Sequence, residues 1–132
     1  MRAKLVDLIS PDIVDPVTSV PADPADFEIF FQALIGPDSG SEGFEAFGFT
    51  LTTPAAIERR LPEEPVQVGR GKIVVEYYHY PTFRSAIERL CWRTEAETWS
   101  DVARILNTYF VWEFDLSGLK HNAGAWLTNA CS

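Results

Sequence analysis

The alternation between Asp26 and Ile35 constrains this chain most: Phe27, Ile29, Phe31, Ala33 and Ile35 fall on one side of an extended backbone, and Glu28, Phe30, Gln32 and Leu34 on the other. Successive side chains of a strand point to opposite faces, so a wholly apolar face must meet a core. A second alternation, Phe47, Phe49 and Leu51 against Ala46, Gly48 and Thr50, lies within residues 44–53. Between the two sits GPDSGSEG, residues 36–43, whose glycines, proline and aspartate suit a hairpin turn and antiparallel pairing.

The flanking segments fill out an α+β order. Residues 4–9 read as a short edge-like strand containing Leu5, with Val6 and Leu8 alternating against Asp7 and Ile9. Residues 10–25 carry Pro11, Pro16, Pro21 and Pro24, which fix backbone angles and remove amide donors, so they form a loop over the domain rather than a helix or inner strand. Thr53 followed by Pro54 reads as a helix N-cap with proline at the first helical position, opening a helix to Arg60 that stops before Pro62. Residues 72–78 read as a third strand with Ile73, Val75 and Tyr77 on one side and Val74 and Tyr78 on the other.

After that strand the apolar period changes. Phe83, Ala86, Ile87, Leu90 and Cys91 recur at helical spacing, as do Trp99, Val102, Ala103, Leu106 and Tyr109 with Phe110. Thr98 with Asp101 three residues later approximates a capping box at the start of the second of these helices. Residues 111–114 suit a short added strand. The expected fold is a single α+β domain, residues 1–115, with a mainly antiparallel sheet and the two C-terminal helices packed on one face. Residues 116–132 form a tail rich in Gly, Asn, Ala and Ser, a composition that suits disorder.

Composition excludes several classes. With 46% apolar and 13% aromatic residues in 132, the chain has enough apolar surface to fold as one ordinary domain. Its longest apolar runs fall far short of the ~20 residues that span a bilayer, and Asp7 interrupts any signal-like N-terminus, which favours a cytoplasmic location. Charge is lopsided: residues 1–64 hold twelve acids against four bases, so the whole net charge of −8 resides there, and the second half is neutral. Phosphate binding draws its affinity from Lys and Arg, so nucleic acid is an unsuitable partner and a basic protein a natural one.

No reaction centre is legible. His79 and His121 are the only histidines and have no second ligand at metal spacing, so neither a metal nor a cofactor is expected. Residues 36–43 lack the Gly-Lys-Ser/Thr ending of a P-loop, and Asp38 and Glu42 would repel phosphate. Cys91 falls on a buried helix face that disfavours a thiolate, and Cys131 lies beside the terminus. Partial exposure suits Trp92 and Trp112, and an exposed Trp flanked by acids suits an interface anchor; Trp112 is the candidate.

Two segments carry a resemblance. DFEIFFQALIGPDSGSEGFEAFGFTLTTP, residues 26–54, and TWSDVARILNTYFVWEF, residues 98–114, with SPDIVDP and VPADPADF upstream and AIERLC between them, are similar in order and spacing to the immunity protein 8 family of bacterial polymorphic toxin systems. The resemblance covers residues 5–114, with no catalytic signature in it. It implies a protein that neutralises a co-encoded toxin by binding it and blocking its active site or substrate approach, with the toxin as partner and no catalysis of its own. The acidic first half then supplies the expected contact surface: Asp12, Asp15, Asp23 and Asp26 on the proline-rich loop, Asp38 and Glu42 on the hairpin turn, and Trp112. The competing reading is a small ligand-binding domain or enzyme using His79 with a nearby carboxylate.

Overall fold

Two long strands, β2 (Glu28–Pro37) and β3 (Glu45–Thr52), pair antiparallel along their length, with Phe31 opposite Phe49 and Ala33 opposite Phe47. The computed structural model in which they are seen describes residues 1–40 and 43–113. The alternation puts Phe31, Ala33, Ile35, Phe47, Phe49 and Leu51 on one face, and all six are buried. At the hairpin end the backbones come so close that a Cβ on Gly36 would lie 2.0 Å from the Gly43 carbonyl oxygen, so only glycine fits there.

β1 (Ala3–Ile9) pairs antiparallel with β2 and carries a β-bulge between Leu5 and Asp7. The extra residue, Val6, resets the phase. Leu5 and Leu8 therefore both reach the core, whereas Val6 and Ile9 stay exposed. This corrects the sequence expectation that Leu8 would share a face with Val6.

The outer edge of β3 is completed by two short strands placed end to end. β4 (Lys72–Val74) pairs parallel with Thr50–Thr52, and β5 (Val111–Trp112) pairs antiparallel with Phe47–Gly48. The result is a mixed five-stranded sheet in which β4 alone runs parallel to its neighbour. β4 is shorter than the run of β-formers suggested. It ends at Val74 rather than at Tyr78, and beyond it Tyr78 is buried and Tyr77 exposed.

α1 (Pro54–Arg60) begins as its sequence dictates: the Thr53 hydroxyl accepts the Ala56 amide at 3.2 Å, and Pro54 occupies the first turn. It is tied to the start of β2 by ion pairs from Arg59 to Asp26 and from Arg60 to Glu28. α2 (Tyr80–Trp92) and α3 (Trp99–Leu106) follow β4. α2 buries Phe83, Ile87 and Cys91, and α3 buries Val102, Ala103 and Leu106. Phe83 packs edge-on against Phe31 at 5.5 Å between ring centroids, and Phe110 meets both Phe47 and Phe49 at 6.2 and 5.7 Å. Each such ring contributes about 1.5–3 kcal/mol through burial, and each aromatic pair about 0.5–1.5 kcal/mol more. α3 stops at Leu106 and the chain passes through a turn, so Tyr109 leaves the apolar stripe and is exposed while Phe110 enters the core. On the opposite sheet face the Phe30 ring lies across Gly48, where a Cβ would come within 2.9 Å of it.

Candidate functional site

The loop of residues 10–26 is acidic and carries no base, and hydrogen bonds hold it in place. Ser10 donates its hydroxyl to the Phe30 carbonyl at 2.6 Å and accepts the Asp12 amide at 3.0 Å. The Asp15 carboxylate accepts the Val17 amide and the Thr18 hydroxyl, each at 3.0 Å, which closes a local turn. Tyr78 then clamps the loop from outside it, its hydroxyl donating to Pro16 O at 2.6 Å and its amide to Pro24 O at 2.7 Å. Burial, with Tyr80 and Asp15 nearby, pushes the Tyr78 phenol up to about 12, so it stays a neutral donor.

Pinning the backbone leaves side chains displayed. Val14, Val17 and Val20 are 101%, 62% and 61% exposed, an apolar row set among Asp12, Asp15 and Asp23. Among the described residues the carboxylates of Asp15 and Asp23 accept only local donors, Asp23 that of Ala25 at 3.0 Å, and retain lone pairs for a partner. Asp12 has no ion pair among the described residues. Asp26 differs. Its carboxylate is taken by Arg59, whose guanidinium is raised by the hydrogen bond and charge of Asp26, so this charge is met within the chain.

The expected acidic residues do not form one patch. Asp12, Asp15, Asp23 and Asp26 precede β2, whereas Asp38 follows it, where its amide donates to the Arg2 carbonyl at 2.8 Å. Ten strand residues separate the two groups, a span of about 33 Å at 3.3 Å per residue. Glu42 lies outside the described residues. Trp112 is half-buried, stacked on Phe47 at 6.2 Å, with its indole N–H donating to the Glu45 carboxylate at 2.8 Å. Among the described residues the open tryptophan is Trp92, 55% exposed at the end of α2, with the Arg2 guanidinium 4.5 Å above its ring. Its place beside the apolar stripe was the sequence signal for this; the three valines had none, because a proline-rich loop gives no period to read.

His79 caps α2 without a side-chain cap bond, and its Nδ1 lies 2.7 Å from the Thr82 hydroxyl. It shares with Glu76 and Tyr77 the lining of a groove of about 370 Å³. Cys91 is buried and free, and burial, with Glu88 adding to it, pushes its thiol up to about 12, far from a reactive thiolate. Among the described residues there is no cluster of three His, Cys, Asp or Glu side chains placed to hold a metal, and no helix long and apolar enough to cross a membrane. His121 and Cys131 lie outside the described residues.

The structure thus displays an acidic loop with exposed valines and, apart from it, an exposed tryptophan. The model of the immunity protein 8 family matches residues 3–116. The chain belongs to that family. The match contains every described strand and helix, from β1 to β5, together with the acidic loop and Trp92. Among curated proteins and among solved structures, nothing matches the chain. Membership implies a cognate toxin as partner.

Proposed function

We propose that this immunity protein 8 family member binds a cognate bacterial toxin domain in the cytoplasm and neutralises it by covering its active site or its substrate approach. The family match over residues 3–116 carries this reading. The contact surface we favour is the loop of residues 10–26, with Asp12, Asp15 and Asp23 giving long-range attraction to a basic partner and Val14, Val17 and Val20 giving apolar area once it arrives. A loop fixed before encounter loses little entropy on binding, which favours tight complexes. Asp26 plays a smaller part because Arg59 already holds it. If the toxin is a nuclease, the free carboxylates stand where substrate phosphates would enter its cleft. Asp38, after β2, and Trp112, in β5, lie apart from this loop.

Co-expression with the product of the gene immediately upstream tests this reading. Growth rescue with a co-purifying complex is the expected result; toxicity without rescue and without a complex rejects it. Replacing Asp12, Asp15 and Asp23 together by Lys should then slow association by about tenfold or more, an effect that salt mimics in the wild type. Unchanged association would move the contact surface off this loop. A second reading rests on the groove shared by His79 and Glu76: there His79→Ala would abolish ligand binding or turnover, and the toxin complex would be untouched.

A further inference from the structure

The outer edge of β1 holds a backbone donor, the Leu5 amide, that no described residue meets. Arg2 O accepts the Asp38 amide, so the residues that turn toward β2 and those that turn away alternate from there: Arg2 and Lys4 face β2, Ala3 and Leu5 face outward. Past the bulge at Val6, Leu8 faces outward again. Two of these three outward amides are occupied, Ala3 by the Thr94 carbonyl at 3.0 Å and Leu8 by the Asp7 carboxylate at 2.8 Å. Leu5 N–H has no partner among the described residues.

Beside Leu5, between β1 and α2, runs a groove of about 710 Å³. Its floor is apolar, with Leu5, only 5% exposed, and the open Trp92. Its charge is opposite to that of the rest of the protein. Lys4, Arg89 and Arg93 line it against Asp38 and Glu88, and Glu88 is already held by Arg84 at 3.1 Å. Lys4 and Arg93 have no ion pair among the described residues, and Arg89 reaches only the Ser85 hydroxyl at 2.9 Å. In a chain of net charge −8 this is a cationic site next to an unmet strand donor.

We propose that this groove takes an extended acidic segment of the protein partner, added as a strand along β1 at Leu5, with a carboxylate among Lys4, Arg89 and Arg93 and an apolar side chain on Trp92. Strand addition takes its affinity from main-chain hydrogen bonds and its selectivity from alternate side chains, which is what an open amide beside a charged, apolar-floored groove provides. The inference rests on the binding reading above only in taking its occupant to be a protein segment. It places a second contact at the opposite end of β2 from the acidic loop, with the complementary sign.

The test uses the full chain and two capped pentapeptides, Val-Glu-Val-Glu-Val and Val-Lys-Val-Lys-Val, titrated separately while the amide and indole NMR signals are followed. The glutamate peptide should shift the Leu5 amide and the Trp92 indole N–H saturably, and the lysine peptide should not. The double substitution Arg89→Glu with Arg93→Glu, both exposed, should weaken glutamate-peptide binding by about tenfold with the circular dichroism unchanged, and Lys4→Glu serves as an independent variant. No shift, equal shifts from both peptides, or shifts centred on residues 10–26 would overturn the proposal. None of these outcomes depends on a toxin, so the result is independent of whether the co-expression test succeeds.

Discussion

The two outer edges of the sheet are treated differently. On the β3 side, β4 and β5 cover the edge with paired backbone, and the residues that bring β5 there, Phe110 and Trp112, pack on Phe47. On the β1 side, no strand is added among the described residues beyond the isolated bridge of Arg2 with Glu95; the Thr94 carbonyl and the Asp7 carboxylate meet edge donors one at a time, and no described residue meets the Leu5 amide. An edge that lies against the aromatic core must be closed by burial, because a polar backbone group left unmet there costs more than at the rim. An edge at the rim can be blunted locally and kept accessible.

That contrast can be broken most severely at Phe110. Phe110→Ala removes a fully buried ring that touches Phe47 and Phe49 and should cost about 3–5 kcal/mol in urea unfolding. A loss near zero would show that the β3 edge does not depend on the core. The next effect is alkaline. Cys91, buried on α2, is raised from 9.0 to about 12, and Tyr78 from 10.0 to about 12. Above its ordinary pKa each group releases its proton in the unfolded chain while the folded state retains it, so stability is fully present below 9.0 and falls as pH rises toward about 12. Thermal melts across this range check the sign, and Tyr78→Phe should make the fall shallower.

Gly71 sharpens the comparison with a smaller change. It has φ +78°, donates to Tyr109 O at 3.1 Å and accepts the Thr50 amide at 2.7 Å, so one residue links the chain before β4, the chain before β5 and β3. Gly71→Ala should cost about 1–2 kcal/mol, read as a lowered Tm, because an L-residue is strained at that φ. Asp7→Ala should cost least, at most about 1 kcal/mol. By freeing the Leu8 amide it should also raise concentration-dependent self-association, measurable by sedimentation. Association with no more than that small loss would fit the β1 edge; a larger loss without association would mean that this edge too is held by the core.

Legibility followed the length of each pattern. The alternating apolar residues from Phe27 to Ile35 made the facing of β2 readable, and the Thr53–Pro54 and Thr98 caps located two helix starts, because cap chemistry is local. Leu5 and Leu8 misled because a bulge leaves no composition mark in six residues. The end of β4 was misjudged because β-forming residues continue to Tyr78, and Tyr109 misled because it sits past the end of α3, where the period no longer applies. The candidate surface was legible as a set of acids in one loop. Its exposed valines were not, since exposure is a property of what else packs nearby.

What the sequence by itself determined is the α+β order, the core face of the long hairpin, the concentration of negative charge in the first half and the family. Periodicity, capping and charge are written within a few residues of one another, so a single pass along the chain reads them. The tertiary structure alone decided that β4 runs parallel beside β3, that Asp38 lies a strand's length from the other acids, that Asp26 is met by Arg59, and that Lys4, Arg89 and Arg93 surround an open strand edge in an acidic protein. Each of these joins residues far apart in the chain, and pairing at such distances is set by how the whole core closes rather than by any local preference.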